Sequence, residues 1–86
     1  MQQQIDEDVG QSIRTYLAET CFVDMGQIGD DTSFMGAGVL DSIGFLEMVV
    51  FLERTFRIDI EDDEMIPENM DSIRNIFMFL ERKRKA

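Results

Sequence analysis

Apolar side chains recur at intervals of three and four in three separate segments of this chain. That spacing places them on one face of an α-helix, whereas a half-buried strand needs an alternation that the sequence does not show convincingly. Because 86 residues bury only one modest core, we expect a single domain over 1–86. The predicted main helices run over residues 4–20, from Asp41 or Ser42 to Phe56, and from Asp71 or Ser72 into the basic residues 82–85.

The apolar face of each predicted helix is expected to form the core. Its members are Ile5, Val9, Ile13, Tyr16 and Leu17 in the first helix, Phe45, Met48, Val49, Leu52 and Phe56 in the second, and Ile73, Ile76, Phe77 and Leu80 in the last. Leu46 is predicted at the edge of the second face. A different stripe of the second helix mixes apolar and charged residues and is expected to be exposed; it contains Ile43, Glu47, Val50, Arg54 and Arg57.

Residues 21–40 are predicted to form a long loop, because four glycines and three aspartates interrupt any regular pattern. Loops of this length are uncommon within a compact domain and are often functional. The apolar residues of this loop are expected to pack onto the helices; they are Phe22, Val23, Met25, Ile28, Phe34, Val39 and Leu40.

The segment between the second and last helices is predicted to start with a short extended piece at 57–61. One helical turn at 62–66 should follow and end before Pro67. The expected fold is therefore all-α, with three main helices, one short helix and a long first loop.

The composition excludes several kinds of site. The chain has no histidine and one cysteine, which rules out a disulfide framework, a Cys/His zinc site and histidine-based acid–base catalysis. Cys21 is interpreted as a loop or core residue, because no base or second cysteine accompanies it. The 18 acidic residues against 8 basic ones give a net charge of −10, which disfavours nucleic acid and favours partners with basic patches.

The apolar runs are too short to cross a membrane. The longest, 48–52 and 76–80, contain five residues each, whereas a spanning helix needs about 20. The first residues lack the features of a signal peptide, and a lone cysteine suits a reducing compartment. We expect a cytoplasmic monomer without a membrane span.

Two acidic segments are weighed as metal sites. Residues 30–41 have the length of a calcium loop, but Phe34 and Met35 stand where a ligand and a glycine belong. The acidic run 61–64 is interpreted as a solvated helix start. No metal is therefore expected.

A serine at the predicted start of the second helix is the strongest candidate for chemistry. Ser42 follows the glycine-bearing segment 36–38 and lies where unpaired N–H groups and the helix dipole favour an anion. A phosphate ester on Ser42 would be favoured there, but Asp-Ser at a helix start is also ordinary capping, and Asp41 is the expected N-cap. The same tripeptide recurs at 71–73, which we interpret as a coincidence of helix-start chemistry.

The pattern around Ser42 resembles the acyl carrier protein family. The matching residues are Leu40-Asp-Ser-Ile43, Leu46-Glu47, Leu52-Glu-Arg-Thr-Phe56, Ile58 and Ile60, with Phe34 before them, and 62–65 and 71–80 as the third and fourth helices. The resemblance covers most of the chain. It implies the small four-helix bundle of the acyl-carrier type.

The resemblance also implies a function without catalysis. Ser42 would receive 4′-phosphopantetheine from coenzyme A through a phosphopantetheinyl transferase, with Asp41 bordering the site. The arm would carry an acyl or aminoacyl group as a thioester to an activating ligase, synthase or transferase in fatty acid, polyketide or nonribosomal peptide biosynthesis. The candidates for partner contact are Ile43, Glu47, Val50 and Arg54.

The sequence also departs from the carriers of fatty acid synthesis. Gly-Val-Leu-Asp-Ser-Ile-Gly replaces their usual Leu-Gly-Ala-Asp-Ser-Leu, and Arg54 and Arg57 interrupt the acidic stripe. The signature around Ser42 is similar to that of stand-alone carriers that work with adenylating ligases, including D-alanyl carriers, and to that of carrier domains of polyketide and peptide synthetases. The alternative function is an acidic helical protein-interaction module without a prosthetic group.

Overall fold

The computed structural model describes residues 7–85, and its regular elements are all helical. The α-helices are α1 (Glu7–Cys21), α2 (Ser42–Phe56), α3 (Pro67–Met70) and α4 (Ile73–Lys85), and single 3-10 turns lie at Met25–Gln27 and Asp62–Glu64. The predicted bundle of three main helices, one short helix and a long first loop is confirmed. The predicted start of the first helix at Gln4, and with it Ile5, lies outside the described residues.

The apolar faces of α1, α2 and α4 form one core. Its fully buried side chains include Ile13, Leu17, Met48, Leu52, Ile73, Ile76 and Leu80. Tyr16 of α1 stacks on Phe51 of α2 with ring centroids 4.2 Å apart, which joins these helices along their edge. Phe45 is buried near the start of α2, as its position on the apolar face predicts.

The long loop between α1 and α2 packs onto the helices. Ile28, Phe34 and Leu40 are buried, which confirms the expectation for these three residues. The expectation for Phe22 is wrong, because its side chain is 90% exposed. Phe22 follows α1 directly and adopts a left-handed backbone conformation with φ of 56°, which turns the chain and leaves the ring in solvent.

The segment between α2 and α4 differs from the prediction at three points. Arg57 is not extended: its left-handed backbone ends α2, and its N–H donates to the carbonyl of Glu53. The predicted helical turn forms but is shorter than expected: it is a 3-10 turn over Asp62–Glu64, and the N–H of its N-cap Glu61 donates to Glu64 Oε1 at 2.9 Å. Pro67 begins a helix instead of ending one, because the first helical position needs no N–H.

Candidate functional site

Asp41 is the N-cap of α2, as the sequence predicts. Its backbone is extended, with φ of −96° and ψ of −174°, and its Oδ1 accepts a hydrogen bond from Gly44 N at 2.7 Å. The Asp41 carbonyl accepts from Phe45 N at 2.8 Å, which closes the first turn. One aspartate therefore supplies the side-chain cap that the start of this helix needs.

Ser42 is the first residue of α2, and its side chain is exposed. Since Asp41 provides the cap, the Ser42 hydroxyl makes no hydrogen bond to any residue between 7 and 85. It also lies within the first turn, where the helix dipole favours a negative charge. The start of α2 thus presents a free hydroxyl in a field that suits a phosphate ester.

Two glycines shape the loop in front of Ser42. Gly38 has φ of +74°, and a Cβ built on it would meet nothing within 4 Å, so the chain turns here beside open space. A Cβ on Gly36 would lie 2.9 Å from the hydroxyl oxygen of Ser33, closer than atoms tolerate. The loop is therefore tightly folded at Gly36 and open at Gly38.

One exposed stripe of α2 contains the four predicted contact residues. Ile43 is 70% exposed and Val50 44% exposed, and Glu47 and Arg54 are also exposed. Leu46 is 53% exposed, so its predicted place at the edge of the core is wrong. It lies three residues after Ile43 and four before Val50, and this helical spacing is the signal that assigns it to the same stripe.

The surroundings of Cys21 are acidic. Partial burial raises the pKa of the Cys21 thiol, and the nearby carboxylates of Asp41 and Glu47 raise it further. Burial and then Glu47 likewise raise the pKa of the Tyr16 hydroxyl. A raised pKa keeps the thiol protonated and unreactive. Cys21 is the last residue of α1 and packs against the core, so it is a core residue and not a loop residue.

The second Asp-Ser-Ile copy differs from the first in its hydrogen bonds. Ser72 is only 6% exposed, and its hydroxyl oxygen accepts from Asn75 N at 3.1 Å, so it caps α4. The predicted start of the last helix at Asp71 or Ser72 is wrong, because α4 begins at Ile73 and Ser72 precedes it as the cap. The Asp71 carboxylate instead accepts from Met35 N at 3.0 Å and from the Ser33 hydroxyl. No pattern in the sequence indicates this contact.

Comparison with known proteins decides the family. The family model described as "Phosphopantetheine attachment site" matches residues 11–76, which is most of the chain. The chain belongs to the acyl carrier protein family. It is also 26% identical over 78 residues to a protein named "Acyl carrier protein" from Guillardia theta, and the match covers 91% of this chain and 94% of that protein.

Membership of this family makes the chain a carrier and not an enzyme, with 4′-phosphopantetheine as its covalent prosthetic group. Such a carrier interacts with a phosphopantetheinyl transferase and with biosynthetic enzymes. In the part of the chain that the structure describes, no helix combines the length and apolar character needed to cross a bilayer. No cluster of three or more potential metal ligands lies within the same residues.

The start of α2 fits this prosthetic group. Formation of the phosphodiester needs a serine hydroxyl that a transferase can reach. Ser42 is exposed, and its hydroxyl makes no hydrogen bond to residues 7–85. Gly38, four residues before Ser42 in the chain, borders open space.

Proposed function

We propose that Ser42 carries the 4′-phosphopantetheine of this carrier, in a single monomeric domain over residues 1–86. The arm's thiol would hold an acyl or aminoacyl group as a thioester for delivery to partner enzymes. The observation that carries the proposal is the difference in exposure and hydrogen bonding among the four serines of the chain. Ser33 and Ser72 are engaged in hydrogen bonds, and Ser12 lies half-buried within α1, whereas Ser42 is exposed with a free hydroxyl.

The chemistry asks little of the carrier itself. Ser42 Oγ forms a bond to the phosphorus of coenzyme A that bears the pantetheine, the pyrophosphate bond breaks, and adenosine 3′,5′-bisphosphate leaves. The serine proton passes to a base on the transferase. The carrier contributes an accessible hydroxyl and a helix N-terminus, whose dipole stabilises the phosphodiester charge that results.

The exposed stripe of α2 supports a docking role for Ile43, Glu47, Val50 and Arg54. Its apolar members give a partner surface to bury, and Glu47 with Asp41 suits a basic patch on the transferase or on a loading ligase. Arg54 has no ion pair to a carboxylate between residues 7 and 85, so it is available to an acidic group on a partner. We therefore infer an activating ligase, synthase or transferase whose surface has both signs of charge.

A reducing compartment such as the cytoplasm suits this function. Cys21 has no partner cysteine in the chain, and the thiol of the arm must remain free to be loaded. Thiols stay reduced in the cytosol and pair in oxidising compartments.

Mass spectrometry of the intact protein tests the proposal. The unmodified protein is incubated with coenzyme A and a broad-specificity phosphopantetheinyl transferase, beside a control carrier. We expect the wild type to gain the mass of one arm and Ser42→Ala to gain none, because no other serine hydroxyl is both exposed and free. An unmodified wild type, under conditions that convert the control, would contradict the proposal and favour the acidic interaction module.

A further inference from the structure

Asp71, at the junction of α3 and α4, holds three successive residues of the long loop. Its carbonyl oxygen accepts a hydrogen bond from Phe34 N at 2.8 Å. Its carboxylate accepts from Met35 N at 3.0 Å through one oxygen and from the Ser33 hydroxyl through the other. Phe34 is itself fully buried, so this stretch of the loop is held by both its backbone and its side chain.

The same residues determine the path of the chain into α2. Ser33 Oγ accepts from Gly36 N at 3.0 Å. The carbonyl of Phe34 accepts from both Val39 N at 2.8 Å and Leu40 N at 3.2 Å. Leu40 is buried and directly precedes the helix cap. A continuous series of hydrogen bonds therefore connects Asp71 to the residue before Asp41.

We propose that Asp71 is a positioning residue for arm transfer to Ser42, an inference that rests on the proposed function. Asp71 acts through the loop over residues 33–40. By fixing this loop it fixes the direction in which the chain enters α2 and the space beside Ser42. An aspartate suits this role because each of its two carboxylate oxygens accepts a different donor. Asparagine offers only one acceptor oxygen and no charge, so the charge-assisted hydrogen bond from the Ser33 hydroxyl would be lost, and an amide N–H donating to Ser33 Oγ would be a weaker, neutral replacement.

The chain offers a matched control for this role. Asp31 also joins the loop to α4, through an ion pair of 2.6 Å between its Oδ1 and Arg74 Nε. Its position precedes the 33–40 loop, and it makes no hydrogen bond to Ser33, Phe34 or Met35. Asp31→Asn therefore changes the net charge by the same amount as Asp71→Asn and leaves the path into α2 intact.

Transferase kinetics on the full chain test the proposal. Initial rates are measured on unmodified wild type, Asp71→Asn, Asp31→Asn and Ser33→Ala, with the folded fraction checked by circular dichroism. We expect Asp71→Asn to lower kcat/KM by about 10-fold and Asp31→Asn by less than about 2-fold, because small misplacements of a reacting group slow transfer strongly. Hydrogen exchange at Met35 N should accelerate in Asp71→Asn and remain unchanged in Asp31→Asn.

Ser33→Ala keeps the test decisive if Asp71→Asn does not fold. It removes one hydroxyl of the same network, and its transfer rate should also fall below that of Asp31→Asn. If the Asp71 variant, or the Ser33 variant, were modified as fast as the Asp31 variant, the positioning role would be overturned. Modification of the wild type would still support the proposed function in that case. The positioning role would also be overturned if Asp71→Asn accelerated hydrogen exchange at Met35 N but left the rate of arm transfer unchanged. A wild type that gained no arm would overturn both.

Discussion

The tripeptide Asp-Ser-Ile occurs twice in this chain, and its side chains have opposite roles in the two places. At 41–43 the aspartate caps α2 and the serine hydroxyl stays free. At 71–73 the serine caps α4, and the aspartate reaches the long loop. A shift of one residue in the start of a helix thus decides which side chain remains available. The tripeptide alone does not define a site; its register relative to the helix does.

The residues before each copy cause this shift. Asp41 follows a loop and takes the extended backbone that an N-cap requires. Asp71 directly follows α3: its N–H donates to the Pro67 carbonyl at 2.9 Å, and its φ of −89° and ψ of 4° are not extended. Asp71 ends α3 and therefore lacks the extended backbone of an N-cap. Ser72, the next residue, caps α4 instead.

Charge reversal on the two helices should affect modification very differently. Glu47→Lys lies on the exposed stripe beside Ser42, and we expect it to slow transferase modification and loading by about 10-fold, since it removes an attraction and adds a repulsion. Glu81→Lys on α4 makes the same change in net charge and should alter the rate by less than about 2-fold. The rates of the wild type and the two variants should converge as the salt concentration rises. Salt screens exposed charges, and the Debye length is already only about 8 Å at physiological salt.

Identical modification rates for Glu47→Lys and Glu81→Lys at every salt concentration would contradict electrostatic docking of the transferase at α2. Arg54→Glu sharpens the test. If Arg54 meets an acidic group on the loading enzyme, this variant should slow loading and leave the transferase rate near that of the wild type.

Alanine at each serine should separate their structural roles. Ser72→Ala removes the cap of α4 at a buried position, and we expect it to lower the free energy of unfolding by about 1 kcal/mol. Ser42→Ala removes an exposed hydroxyl without a hydrogen bond among residues 7–85, and its effect should stay within about 0.5 kcal/mol. Urea unfolding of both variants measures the difference, and an equal loss in the two would contradict the assignment of the caps.

Acid should weaken the ion pair that joins Glu64, in the 3-10 turn before α3, to Lys83 of α4. A hydrogen bond from Lys83, with an N–O distance of 2.5 Å, lowers the pKa of Glu64. A lowered pKa in the folded state gives stability that is complete above the ordinary carboxyl pKa and is lost as the pH falls through the lowered one. Lys83→Met should therefore destabilise the protein slightly at neutral pH.

Thermal unfolding checks this smallest effect. The difference in Tm between Lys83→Met and wild type should be largest at about pH 7 and shrink in acid, as the pH falls through the lowered pKa of Glu64. A difference that persisted unchanged in acid would show that the ion pair contributes nothing and that the lost side chain acts through packing alone.

Most of the structure at the start of α2 could be predicted from the sequence because its signals are local, although Leu46 lies on the exposed stripe and not at the predicted edge of the core. The cap at Asp41, the apolar face with Phe45 and the exposed stripe all follow from neighbouring residues and helical spacing. The register at Ser72 depended on α3, whose start at Pro67 was interpreted as an end. The contact between Asp71 and Ser33 joins residues 38 positions apart, and no pattern within a helix or loop announces such a contact.

Peptide mapping of the modified wild-type protein tests the central claim most directly. After reaction with coenzyme A and a transferase, protease digestion and tandem mass spectrometry assign the added arm to one residue. The two copies have different neighbours, Leu40 and Gly44 in one and Met70 and Arg74 in the other, so their fragments are distinguishable. We expect the arm on Ser42 alone. An arm on Ser72 would contradict the claim that helix register decides which serine is modified.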